Sequence, residues 1–179
     1  MAWTAPMTAI SGATFTAAQF NQFVRDNLNE TAPAKATAAA QFFVSTAANA
    51  IAARQMSNQV VTTSESTSST SYTDLTTVGP TVTATTSTLA MVLFASRIQN
   101  SLTNGAAEVS VAVSGASSVA ASANWAIKMD GIASANNLRM GMAHVFTGLT
   151  AGSNTFTMKY LVGSGTGTFA ARELIVLPF

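Results

Sequence analysis

The feature that most constrains this chain is a change of rhythm near residue 58. Beyond it, short runs rich in Thr, Val and Ser alternate apolar with polar residues, and turn residues interrupt them at close intervals. Residues 108–113 put Val109, Val111 and Val113 on one face, and Phe156, Met158, Tyr160 and Val162 alternate with Thr155, Thr157, Lys159 and Leu161. A period of two over runs this short is the signature of half-buried strands. Gly79-Pro80, Asn104-Gly105, Ser114-Gly115, Asp130-Gly131, Ala151-Gly152 and Gly163-Ser164-Gly165 supply the turns. Further strands are expected at 59–64, 71–78, 81–86, 88–98, 125–129, 138–146 and 169–177. The prediction is a mainly β chain, with an antiparallel β-sandwich or jelly roll of about eight strands over residues 59–179.

Two of these runs lack alternation. Residues 88–98 are apolar on both faces, which marks a strand central to the sandwich or covered by a partner. The last run ends Leu174-Ile175-Val176-Leu177-Pro178-Phe179. Both its faces want cover, so Leu174, Val176 and Phe179 are expected at a subunit interface around a symmetry axis.

Residues 1–58 read differently. They are Ala-rich and carry one clear helix signal over about 17–28. Thr16-Ala17-Ala18-Gln19 fits a capping box, with Phe15 and Phe20 at the positions of a hydrophobic staple. Phe20, Phe23, Val24 and Leu28 follow at helical spacing. A helix of about 12 residues is marginal alone in water, so its stripe must dock on something. Residues 1–11 read as an extended arm. Residues 31–55 read as a connector, with helical propensity at 34–40, a short strand at 41–45 and a turn at 47–54. Trp3, Phe15, Phe20, Phe23, Val24 and Leu28 are the expected attachment residues.

Charge narrows the partners. Charged residues are 8% of the chain and the net charge is +1, against about 25% charged in an ordinary soluble domain. The eight basic residues are scattered singly, so neither nucleic acid nor an anionic membrane is an expected partner. Weak charge also leaves little repulsion between copies. There is no cysteine, which removes disulfides and thiolate metal sites. The start lacks the basic and apolar regions of a signal peptide. The apolar run 89–95 is far short of the roughly 20 residues a membrane helix needs. Synthesis in a cytoplasm is expected.

Chemistry is sparse. His144 is the single histidine; it sits in a strand-like run without a nearby carboxylate pair, and a packing or interface role is expected. The acids Asp26, Glu30, Glu65, Asp74, Glu108, Asp130 and Glu173 form no metal-ligand spacing. Gly163-Ser164-Gly165-Thr166-Gly167 lacks the Lys-Ser/Thr ending of a phosphate loop and reads as a hairpin turn. Trp125, Tyr72 and Tyr160 could stack on a sugar, but Trp125 lies in a strand-like segment where core packing is the default. The expectation is no catalytic residue, no cofactor and no metal.

Certain stretches resemble a known group. Met1-Ala2-Trp3-Thr4-Ala5-Pro6, Phe15-Thr16-Ala17-Ala18-Gln19-Phe20-Asn21 and Arg25-Asp26-Asn27-Leu28-Asn29-Glu30 resemble the N-termini of small virion proteins of tailed bacteriophages. The segment from Ala40-Gln41-Phe42-Phe43 to Ala53-Arg54 is similar to one recurrent in phage tail-fibre proteins, with Ala40-Gln41 where Gly-Asp is usual. The remainder is similar in pattern to trimeric jelly-roll heads on fibres, tail tips and capsid decorations. The resemblance implies a virion protein that is anchored by its N-terminal segment to other virion proteins and displays a homotrimeric head. A tail fibre or minor tail protein engaged in host recognition is the first form of this reading. A capsid decoration or head-fibre protein that stabilises the shell is the alternative, and copy number per particle separates the two. A glycan-binding module, with host-surface glycan as partner, is the alternative from another class.

Overall fold

The computed structural model describes residues 3–134 and 136–179. The chain divides into a first unit that runs to Gln55 and also takes Phe179, and a second unit, Met56–Pro178.

The first unit starts as an extended segment and turns helical at α1 (Ala17–Phe20), a π-helical turn (Asn21–Arg25) and α2 (Asp26–Leu28). The predicted capping box forms: Gln19 N donates to Thr16 Oγ1 at 3.2 Å, and Thr16 N donates to Gln19 Oε1 at 2.9 Å. Phe15 and Phe20 meet edge to face at 6.2 Å between ring centres, as a staple requires. The π turn departs from the single regular helix expected over 17–28. Each i→i+5 step inserts about one extra residue into the turn, so the apolar stripe no longer lies on one face. A short α3 (Ala32–Lys35) follows, and then the hairpin β1 (Gln41–Ala47) and β2 (Ala50–Gln55). Residues 50–54 are therefore strand, where a turn was expected. Asn49, with φ +57°, supplies the reversal into β2.

The second unit contains β3 (Ser57–Val61), β4 (Glu65–Thr67), β5 (Thr81–Thr86), β6 (Leu89–Asn100), β7 (Ala107–Gly115), β8 (Ile127–Met129), β9 (Asn137–Thr147), β10 (Gly152–Val162) and β11 (Gly167–Pro178). One sheet has the order β5-β10-β7-β8 and the other β3-β11-β6-β9, with β4 beside β11. The pairs β3–β11, β5–β10, β6–β9 and β7–β8 are all antiparallel and nested in sequence. The chain is thus a long antiparallel ribbon of four strand pairs, rolled so that β11 meets β6 and β10 meets β7. That connectivity is an eight-stranded jelly roll, with β4 as an addition.

Alternation builds its core. Val92, Phe94 and Ile98 of β6, Val109, Val111 and Val113 of β7, Phe156, Met158, Tyr160 and Val162 of β10 and Leu174 and Val176 of β11 are buried between the sheets. The doubly apolar run 88–98 falls in β6, flanked by β11 and β9. Two expectations fail. Residues 71–78 form no strand: Thr73 makes an isolated bridge to Tyr160, and the rest of the segment is loop, held by side chains instead of a ladder. The glycine-rich turn at 163–166 is not a hairpin either, because β10 and β11 lie in different sheets. It carries the chain from one layer to the other.

Candidate functional site: outward apolar surfaces

In the first unit, Asn27 fixes the arm to the helix. Its side chain is buried, donates to Thr4 O at 2.9 Å and to Phe23 O at 3.0 Å, and accepts from Thr4 N at 2.8 Å. It thereby pairs with the extended backbone much as a neighbouring strand would. Trp3 N donates to Asn49 O at 2.7 Å, which ties the same arm to the β1–β2 turn. Fixing the backbone leaves the large side chains outside. Trp3, Ile10, Phe15, Phe20 and Leu28 are exposed, Phe23 and Val24 half-buried, and Val44 is the one apolar side chain buried among the described residues of this unit. Met7, Ile10, Phe15 and Phe23 line a groove of about 500 Å³. Of the expected attachment residues, Phe15 and Phe23 share that groove, while Phe20 and Leu28 stand apart from it.

In the second unit, the outward face of the β3-β11-β6-β9 sheet is ordered in rows. Successive registers align Leu177–Met91–Val145, then Asn58–Ile175–Leu93–Ala143, then Val60–Glu173–Ala95–Gly141. Nine of the eleven positions in these rows are apolar, Asn58 and Glu173 being the exceptions, and they cover roughly 300 Å², from spacings of about 4.8 Å between strands and about 6.8 Å between same-face residues. That reaches the lower end of the range for the largest apolar patch of a typical monomer, about 300–600 Å², which is often functional. A groove of about 340 Å³ opens at its centre between Leu93, Ile175 and Gly141. Gly141 keeps it open: an added Cβ there would come within 3.3 Å of the Ala95 Cβ.

This register corrects the expected interface. Leu174 and Val176 are fully buried in the jelly-roll core, and the neighbours that face outward are Glu173, Ile175 and Leu177. The sequence run is apolar on both faces, so it did not say which set belongs to the monomer. A bulge in β11 decides it. Ala171 takes φ +46°, and the register against β6 shifts between Ala170 and Glu173. Phe179 groups with the first unit and is half-buried.

The bulge also aims Arg172 inward. The guanidinium has no exposure and donates to Thr77 O, Gly79 O, Thr63 Oγ1 and the Glu65 carboxylate at 3.0–3.3 Å, 5.5 Å above the Tyr160 ring. Glu65 in turn accepts from the Thr77 hydroxyl at 2.6 Å and backbone N at 3.1 Å. These bonds, the first above all, hold its carboxyl below the ordinary value. This cluster fastens β4 and the loop at 68–80 to the sandwich, and no spacing in the sequence announced it.

The residues weighed for chemistry are used for packing. His144 stacks on Trp125 at 5.2 Å and meets Phe146 edge-on at 4.7 Å, and burial pushes its imidazole below the ordinary value. Trp125 Nε1 donates to Val111 O at 2.9 Å. Tyr72 donates to Glu108 at 2.7 Å, and Tyr160 donates to Gly79 O at 2.8 Å. Among the described residues no three His, Asp or Glu side chains come together as metal ligands, and no helix is long and apolar enough to cross a membrane.

No family model and no curated protein matches the chain. Among solved structures, that of infectious bursal disease virus Gx strain is similar at 11% identity and a TM-score of 0.39, over 74% of this chain and 35% of that one. The chain spans about a third of that neighbour's length.

Proposed function

We propose that this protein is a non-enzymatic structural component of a virion, anchored by its first unit and displaying the jelly roll as a homotrimer. The observation that carries the reading is the contrast between the two units. The second buries a full apolar core, whereas the first leaves Trp3, Ile10, Phe15, Phe20 and Leu28 in solvent on a backbone already fixed by Asn27. An ordered backbone with exposed aromatic side chains is an anchor shaped before its partner arrives. The residues that resemble tailed-phage N-termini lie in this same unit.

The outward rows of the β3-β11-β6-β9 sheet are the surface through which copies associate. Roughly 300 Å² per copy is well under half of the about 800 Å² that a standard two-partner interface takes from each side, so association draws on the rim around these rows as well. A ring joins each copy to two neighbours through two different patches, so the proposed trimer uses these rows as one of its two contact patches. The particle position we assign is the tail, as a fibre or minor tail protein that presents the head to the host. The test is removal of residues 1–30. The truncated protein, with its jelly-roll core intact, is expected to keep its oligomeric mass and to be absent from purified particles. Normal uptake into particles would refute the anchoring role, and immuno-gold label on capsids instead of tails would refute the position.

A further inference from the structure

Cations are few here, and nearly all are satisfied internally. Arg25, Lys35, Lys128, Arg139, Lys159 and Arg172 pair with Asp26, Glu30, Asp130, Glu173, Asp74 and Glu65, and Arg54 donates to the Ala53 carbonyl. The eight basic residues of the chain leave one more, Arg97. Among the described residues it is the one basic side chain with neither a hydrogen bond nor an ion pair. It is exposed, on the outward face of β6, directly opposite Arg139 on β9. Like charges facing each other across a strand pair are unfavourable. Arg139 relieves this by binding Glu173 at 3.0 Å, and nothing relieves Arg97.

Around Arg97 the sheet face changes character. Below the apolar rows, the register aligns Ala170–Arg97–Arg139 and then Ser66–Thr168–Gln99–Asn137. Arg97, Gln99, Asn137, Thr168 and Ser64 line a pocket of about 130 Å³. That is room for about four waters at about 30 Å³ each, which fits one carboxyl group and part of a ring but no extended ligand. Two side-chain amides, the Ser64 hydroxyl and the Thr168 hydroxyl, which shares a 2.8 Å hydrogen bond with Ser66, form a donor-rich surface beside the unpaired guanidinium. Such a surface recognises an anion that carries hydroxyl groups of its own.

We propose that this pocket binds the carboxylate of an acidic sugar residue, with Arg97 as the charge partner and Gln99, Asn137 and Thr168 as hydrogen-bonding neighbours. One free positive charge matches a monoanion. A phosphate monoester carries about −1.5 to −2 at neutral pH and would need a second cation, while the neighbouring Glu173 repels it. A nucleic-acid strand would need a track of free cations, and the others are paired. The inference does not depend on the virion reading, since the pocket and its charge belong to the second unit by itself.

The test is titration of the full chain with D-glucuronate, D-glucose and inorganic phosphate, followed by the amide resonances of residues 97–99, 137 and 168. Glucuronate is expected to give saturable shifts at millimolar concentration, with glucose giving none and phosphate binding more weakly. Arg97→Gln, at an exposed site, should weaken glucuronate at least tenfold. Glu173→Gln should strengthen it severalfold, because it frees the Arg139 charge beside the pocket. Absence of saturable glucuronate shifts would overturn the proposal. So would undiminished binding in Arg97→Gln, tighter binding of phosphate, or no gain in Glu173→Gln.

Discussion

At the residue scale, the sharpest distinction in this molecule separates Leu174 from Ile175. They are neighbours of similar size and hydropathy, yet one is sealed between the sheets and the other sits on the outward face beside Leu93. Substitution should divide them. Leu174→Ala removes buried contacts and leaves a cavity, which costs about 3 kcal/mol and lowers the melting temperature by roughly 10 °C. Ile175→Asp puts a charge on a solvent face, so the isolated fold should melt within about 2 °C of the parent, on the modest cost usual for surface changes. Its effect should fall on assembly: on the proposed homotrimer, sedimentation should give a trimer mass for the parent and a monomer mass for Ile175→Asp. A parent-like mass for Ile175→Asp would remove this face from the interface. The bulge at Ala171 is the reason the two residues cannot exchange roles, because a one-residue slip would carry the whole apolar set to the other face.

At the element scale, what could be read from sequence followed the reach of each interaction. The capping box of Thr16 and Gln19 spans three residues, and the alternation of β7 and β10 is local to each strand, so both were legible. The nesting that makes a jelly roll is not local, since β3 pairs with β11 across more than a hundred residues; pattern could give only a strand count and a choice of architectures. The π turn at Asn21–Arg25 has no residue signal at all. Asn27 was likewise invisible, because its partner Thr4 lies 23 positions away. The same limit hid the loop at 71–78, whose Ser/Thr content imitates a strand while Arg172, bound to Thr77 O 95 positions away, holds it. This gives a prediction for the element as a unit. Arg172→Ala strips the loop of its charge partner and should lower the melting temperature of the second unit, because the wholly buried guanidinium serves four groups that would lose their donor. Amide exchange of residues 73–79 should rise before that of β6 or β10. Equal acceleration throughout the unit would show instead that Arg172 supports the core and not the loop.

At the scale of the whole molecule, two of the perturbed side chains, His144 and Glu65, act on opposite flanks of the jelly roll, and both make it sensitive to acid. His144 lies on β9, at the margin of one sheet, and stacks on Trp125, which leads into β8 at the margin of the other. Burial favours its neutral form, so its folded pKa lies below the ordinary 6.5. Between those two values the unfolded chain binds the proton and the folded one does not, so stability falls as pH falls. Its contribution is therefore complete above 6.5 and is lost on descent through the folded value. Glu65 behaves in the same sense at lower pH. Held below 4.5 by the Thr77 hydroxyl first, and also by the Thr77 backbone and Arg172, it stabilises fully above that value and ceases to do so as the carboxyl takes up its proton. Melting temperature should accordingly decline in two stages, one beginning near pH 6.5 and a second below about 4.5. His144→Phe keeps an aromatic ring against Trp125 and should abolish the first stage alone. Glu65→Gln should lower the melting temperature at neutral pH and flatten the second. A melting temperature constant from pH 7 to 5, or a first stage that survives in His144→Phe, would show that the β8–β9 margin does not respond to this imidazole. The order of the stages carries the structural meaning: protonation should first loosen the margin where the two sheets meet at Trp125 and His144, while the Arg172 clasp on β11 still holds.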